Sequence, residues 1–437
     1  MALLGAQLVI TLIMVSIIQK LSNISFGRWL LCSQGLYRYL YPDNAELKTL
    51  AGVPKDKSNK SKKGGKVEAN GKPETFHVPR NLDLQLETAL VTPMDVVHLR
   101  FYSEYQWIVD FSLYSIIVYI LSELYTTMFP MKEEFNLSMV WCLLVVLFSF
   151  KILLSLTKQY FTSEESMGER STCIVAFCVF LLIAMMVLII DEENLEVGVD
   201  PAYDSFHENA SKFLEIQGLS SVGPASKLIL KFSFAVWAAI IGTLYTFPGL
   251  RVARMHWDSL RYYGDSRVKS LLLNANFALP FLVTLLWVRP VARHYLAVRV
   301  FSGMQAPIMS PQAFDSLRLW LAAGAAALRV ALMPRQLQAY LDMARRRLDQ
   351  QRREAGRITN VELQKKIASV FYYLCVVALQ YLCPVLAGLH LALMYKTLGG
   401  YSWGGTGGAD TSAAGSMAAA AGDGAEQFQL AWENLKL

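Results

Sequence analysis

Charge is what this chain has least of. Lysine, arginine, aspartate and glutamate make up 17% of its 437 residues, against about a quarter in soluble proteins. Motifs that carry chemistry are missing too. The six cysteines, Cys32, Cys142, Cys173, Cys178, Cys375 and Cys383, form no Cys-x-x-Cys, and none lies in a connection expected outside. Neither a thiol redox motif nor an outer disulfide is expected. The six histidines include no His-Glu-x-x-His, and no P-loop or dinucleotide fingerprint occurs. No cofactor or metal site is therefore expected. The net charge of +6 is too modest to suggest nucleic acid. These shortages exclude a soluble globular enzyme, a secreted disulfide scaffold and a disordered chain.

What is present is apolar. Hydrophobic residues make up 54% of the chain. Eight windows, 2–18, 107–128, 137–156, 172–190, 228–247, 271–288, 317–334 and 367–391, hold only six of the 76 charged side chains. Each is near the 20 or so residues that cross a hydrocarbon core about 30 Å thick. Backbone groups in lipid must bond internally, so the windows read as helices. None shows the period-two alternation of barrel strands. The first window starts almost at Met1 and is open to reading as a signal peptide. It lacks a positive n-region and a small-x-small cleavage site before Lys20, which favours a retained helix. The fold class expected is an all-α polytopic bundle of about eight membrane helices with amphipathic cytoplasmic helices.

Orientation follows from lysine and arginine in the connections. Residues 19–82 carry twelve of them, 249–270 include Arg251 and Arg254, and 335–366 carry nine, among them Arg345, Arg346 and Arg347. These three connections share one side, which should be cytoplasmic. The connection 191–227 is acidic and should lie outside, with Asn209-Ala-Ser as its glycosylation candidate. The connection 289–316, with Arg289, Arg293 and Arg299 against Asp315, is the exception. The chain thus divides into a first helix or signal sequence (1–18), a basic polar region (19–106) and membrane helices two to four (107–190). An acidic outer loop (191–227), membrane helices five to eight with basic connections (228–395) and a Gly/Ala-rich disordered tail (396–437) complete it. Localisation is integral to the plasma membrane or an endomembrane.

Residues 55–73 have almost nothing apolar and read as a disordered tether. The sharper reading is attraction of anionic lipid to Lys55, Lys57, Lys60, Lys62, Lys63 and Lys66. Two stretches look like surface helices. Leu337, Leu341, Ala344 and Leu348 make one apolar stripe. Leu250, Ala253, Trp257 and Leu260 make another, after the breaking pair Pro248-Gly249. Each is expected to pack on the protein's own cytoplasmic face, to lie among headgroups, or to bind a protein partner.

The six charges inside windows are Asp110, Glu123, Lys151, Lys231, Arg318 and Arg329. Such groups usually pair or face a wet cavity. Depth suggests Asp110 with Lys151, and Glu123 with Lys231 or Arg318. Arg318 and Arg329 share a face of window seven, separated by Ala322–Ala327 with its small side chains, so that span is expected to be central. All six charges lie near span ends, which favours structural pairing over a transport path. Pro280 with Asn274 and Asn276, and Pro384 with Gln380, are the places where a transporter would break its helices. Gly400-Tyr401-Ser402-Trp403-Gly404 fits the nucleophile-elbow form, but a membrane helix precedes it and no histidine follows, so hydrolase chemistry is not expected.

Read in order, RWLLC (28–32), EYQWIVDF (104–111), GERS (168–171), TFPGLR (246–251), LRLWL (317–321), QAYL (338–341), EAGRI (354–358) and KTLGGYSWG (396–404) resemble the transmembrane protein 161 family. The last stretch is nearer the A branch than the B. The resemblance implies a multi-pass membrane protein without established catalysis. On the A side it implies protection against oxidative stress and the DNA damage and apoptosis that follow. On the B side it implies modulation of potassium and calcium currents. Family members continue into a further hydrophobic segment beyond the Gly-rich region, which this chain lacks. No active-site residues carry over. The function expected is regulatory and non-catalytic, with a transporter or channel subunit as the alternative.

Overall fold

The computed structural model is almost wholly helical and describes residues 6–21, 25–51, 75–80, 84–128, 136–162, 167–190, 194–216, 226–263, 266–301, 306–354 and 356–404. Lys55, Lys57, Lys60, Lys62, Lys63 and Lys66, and the tail from 405 onward, lie outside the described residues. The chain begins with α1 (Ala6–Leu21), α2 (Phe26–Cys32), β1 (Tyr37–Tyr39), α3 (Asn44–Leu50), β2 (His77–Pro79), β3 (Thr88–Leu90) and α4 (Pro93–Val97). There follow α5 (Tyr102–Met128), α6 (Ser138–Thr162), α7 (Met167–Ile189), α8 (Val199–Ile216), α9 (Lys227–Tyr263) and α10 (Arg267–Leu285). Last come α11 (Pro311–Leu341), α12 (Met343–Arg352), β4 (Arg357–Thr359), α13 (Asn360–Tyr372) and α14 (Leu374–Leu398).

Among the described residues, seven helices are long and apolar enough to cross a membrane: α5, α6, α7, α9, α10, α11 and α14. They coincide with windows two to eight. Window one forms α1, 16 residues long, which packs on α5. Both α7 and α14 are apolar all round, yet they sit differently. The apolar stretch of α7 is 6% buried and that of α14 is 78% buried. So α14 is the hub, against α6, α9 and α11, and α7 spends its apolar surface on lipid.

The span expected to be central, 317–334, packs on three other spans, α9, α10 and α14, beside the hub. Small side chains permit close approach but do not compel it. Ala325 and Ala326 are buried, while a side chain at Gly324 would meet nothing within 4 Å. Close approach occurs elsewhere. A Cβ on Gly242 of α9 would lie 2.6 Å from the Phe180 ring of α7, and one on Gly27 of α2 would lie 3.2 Å from the Gln106 backbone of α5.

Proline breaks none of the long helices. Pro248, Pro280, Pro334 and Pro384 lie inside α9, α10, α11 and α14. A proline in lipid loses one backbone bond, and its neighbours absorb the loss. The stretch 250–263 is thus the continuation of α9 rather than a separate surface helix. Its stripe stays uncovered, with Leu250 and Trp257 exposed, a position suited to the headgroup belt. The other stripe is buried: Leu337, Leu341, Ala344 and Leu348 join the main core. That segment packs on the protein itself.

Parts of the basic region 19–106 fold into a cap on this same end. Strand β1 pairs antiparallel with β3, and β2 with β4. Asn360 ties the cap together. Its side chain accepts from the Phe76 N–H at 3.1 Å and donates to Asn44 at 3.0 Å. Tyr39 donates to Asp342 at 3.1 Å, and burial followed by that carboxylate pushes the phenol up to about 12. The region read as an acidic outer loop contains a helix, α8, with Asn209 exposed on it. The tail read as disordered from 396 is ordered through Trp403. Ser316 donates to the Ser402 carbonyl at 2.7 Å, and Trp320 donates to the Trp403 carbonyl at 3.1 Å. Ser402 follows a helix, not the strand that an elbow nucleophile requires.

Candidate functional site

Of the six charges inside the spans, Glu123, Lys231 and Arg318 form ion pairs, none with a partner expected from depth, while Asp110, Lys151 and Arg329 form none among the described residues. Asp110 accepts from the backbone N–H of Gly27 at 2.8 Å, and Tyr105 donates to the Gly27 carbonyl at 3.1 Å. The carboxylate thus pins α2 onto α5. Lys151 is exposed on α6, where its long stem can carry the ammonium toward the interface. The Asp110–Lys151 pair is not made, because the two residues share a depth but not a direction. Glu123 pairs with Lys396 at the far end of α14, not with Lys231 or Arg318. Lys231 binds Asp200 of α8 at 2.8 Å. Hydrogen bonds from Lys231 and Lys227 hold the Asp200 carboxyl below the usual aspartate value. Arg329 is half-buried, has no ion partner among the described residues, and lends its carbonyl to the Tyr381 hydroxyl at 2.8 Å.

Arg318 is the most deeply buried charged side chain among the described residues. Its side chain is 3% exposed and meets Glu196 at 2.7 Å and Asp315 at 3.6 Å. It donates to the Leu286 carbonyl at 2.8 Å and lies over the rings of Trp287 and Phe314. Arg293 binds the same two acids. The quartet joins the α7–α8 connection to the start of α11. It also accounts for the exception in the charge map. Arg293 stands on the otherwise acidic end because two carboxylates neutralise it, and Arg299 there stacks on Tyr295 and Phe301.

The opposite, basic end carries a cavity of about 870 Å³ between α6, α9, α14 and the α11–α12 corner. Arg100, Arg251, Arg254 and Arg347 line it, with Tyr160 and Gln380 among the deeper residues. Phe101, in the left-handed region at φ 64°, makes the turn that precedes α5 and sets Arg100 at the rim. None of the four arginines makes an ion pair among the described residues. Two acids share the wall. Asp258 is bound to Arg346, which leaves Glu169 facing four guanidinium groups. Gln380 is 2% exposed. It donates to the Tyr160 hydroxyl at 3.3 Å, and its buried Oε1 has no partner.

Sequence reasoning named Arg251, Arg254 and Arg347 only as markers of sidedness, and did not name Arg100. No spacing rule links four arginines that come from three separated segments. Of the polar candidates beside the prolines, Gln380 reaches the cavity and the two asparagines of α10 do not. Asn274 is exposed, and Asn276 is buried beside Tyr381 with its own Oδ1 unpartnered. The described residues bring together no group of three histidine, cysteine or acidic side chains suited to a metal.

No solved structure matches the chain. A family model does, the one described as predicted transmembrane protein 161AB, which takes in both branches together and covers residues 2–431. With a match of nearly full length, the chain belongs to the transmembrane protein 161 family.

Proposed function

We propose that the protein is a non-catalytic, regulatory membrane protein whose working surface is the cavity at its basic, cytoplasmic end. The observation that carries this is the combination of that cavity with a packed hub above it. Past Gln380, residues 381–383, 385–387 and 390 of α14 are buried, and the Arg318 quartet ties the connections at the far end together. A basic cavity under a packed hub supports binding at one end over passage through the bundle. Regulation of this kind suits both roles implied by the family resemblance, protection against oxidative stress and modulation of ion currents. In this orientation Asn209 lies outside and is open to glycosylation.

The transporter reading has one observation in its favour, the unpartnered Oδ1 of Asn276 and Oε1 of Gln380. The unbroken α10 and α14 count against it. Thiol labelling separates the two. Cys32 and Cys178 are the two cysteines that are not buried. With both replaced by serine, Val376→Cys in the cavity wall should react with a membrane-impermeant maleimide from the basic side alone. Ala387→Cys, eleven residues or about 16 Å farther along α14, should react from neither side. Labelling of Ala387→Cys from the acidic side would overturn the closed reading.

A further inference from the structure

The cavity at the basic end carries an excess of cationic side chains, Arg100, Arg251, Arg254 and Arg347. Like charges gathered around a cleft repel and raise the local concentration of a counter-ion. Four arginines face one uncommitted acid, so the site is short of negative charge. Arg347 is the only one of the four with a side-chain hydrogen bond among the described residues, a long one of 3.3 Å to Ser369. The other three guanidinium groups have no hydrogen-bond partner among the described residues. A guanidinium presents a planar fork that fits phosphate oxygens two at a time. A phosphomonoester carries about −1.5 to −2 near neutral pH, so one or two such groups would balance the excess.

The volume says more. About 870 Å³ is far larger than a lone phosphate needs and lies within the range of about 300–1,000 Å³ for small-molecule sites. The wall is not purely cationic. The buried Gln380 Oε1 is an acceptor without a donor, and cationic donors on the opposite wall call for an anion. One molecule that satisfies both carries phosphates on a hydroxyl-bearing frame. The depth also fits. Arg251 and Arg254 fall just past the apolar stretch of α9. Leu250 lines the cavity and is 59% exposed on the bundle's flank, so the cavity reaches the surface where headgroups lie. Basic pockets between helices at a cytoplasmic face are a recurring form of headgroup site.

We propose that this cavity binds a phosphorylated polyol, with its phosphomonoesters held by Arg100, Arg251, Arg254 and Arg347 and a hydroxyl donated to Gln380. The chemistry is shared by a polyphosphoinositide headgroup and a soluble inositol phosphate. This rests on the regulatory reading of the same cavity.

The test uses the purified full chain. In one arm it is reconstituted in phosphatidylcholine vesicles and challenged with phosphatidylinositol bisphosphate, or with phosphatidylserine at equal total charge. In the other arm, in detergent, it is titrated with inositol hexakisphosphate. Preference for phosphatidylinositol bisphosphate assigns the lipid source. Saturable binding of inositol hexakisphosphate without that preference assigns a soluble one. Either result supports the site if Arg251→Gln/Arg347→Gln weakens binding at least about tenfold, the loss of one or two charge-assisted bonds. The milder Arg254→Gln, which removes an exposed side chain, should weaken it in the same direction and guards against misfolding of the double variant. Arg345→Gln/Arg353→Gln removes equal charge from the same end outside the cavity and should leave binding unchanged. Equal binding of phosphatidylserine, or equal losses from both double variants, would overturn the proposal. Failure of binding with the bundle still impermeable would sink this inference alone. Binding accompanied by solute flux would sink the regulatory reading and keep the site.

Discussion

Arg318→Leu should lower the stability of the protein by about 3–5 kcal/mol, the usual loss when one partner of a buried ion pair is removed. The reason is what stays behind. Glu196 and Asp315 would remain together in a largely dry site with Arg293 as their only cation. The Leu286 carbonyl would lose its donor, and the rings of Trp287 and Phe314 would lose the charge lying on them. Arg318→Lys should recover only part of the loss. A lysine ammonium is a compact point charge that cannot serve two carboxylates, a carbonyl and two aromatic faces together. Thermal unfolding in detergent reads the effect, with Arg289→Leu, an exposed arginine of the same connection, as the reference. An unfolding midpoint unmoved by Arg318→Leu would show that the quartet is incidental.

Gly242→Leu should detach α7 from the bundle. The first added carbon would fall 2.6 Å from the Phe180 ring, well inside contact distance. Helix α7 has little else to hold it. Its main contact is α9, and most of its surface faces lipid. Overpacking costs about 1–3 kcal/mol in ordinary cores. Here the loss should show as protease sensitivity of the connections flanking α7 before global unfolding. The pair can be tested as a cycle. Gly242→Ala alone should destabilise, because Phe180 must move. Phe180→Ala alone should cost less than its lost contacts suggest, because the backbones can close up. Together they should be milder than the sum. Additive losses would mean that the ring already has room to turn away.

The spans were legible because lipid imposes one strong rule, and about 20 apolar residues in a row satisfy it. Depth along a span was legible for the same reason. Direction around the span was not. Asp110 and Lys151 share a depth, yet one faces α2 and the other faces away from the protein. That angle is set by which helices pack, and α14 as hub could not be read from a sequence in which α7 is just as apolar. Glu123 had its partner in Lys396, which sits beyond the last window and so escaped a search confined to windows. The quartet needed Glu196 to reach in from a connection. The cap depends on strands of three residues, too short to show any periodicity. The cavity had the faintest signature. Its arginines were visible as a charge bias, but their convergence is a product of the helix packing.

A bundle of this kind should bind at one end and conduct nothing. Flux through purified protein in liposomes tests it most directly. Measured with a panel of monovalent and divalent ions and small anionic solutes, permeability should be no greater than that of protein-free vesicles. A robust flux, abolished by Asn276→Leu or Gln380→Leu, would contradict it, because those two buried polar side chains would then line a path that the packed hub excludes.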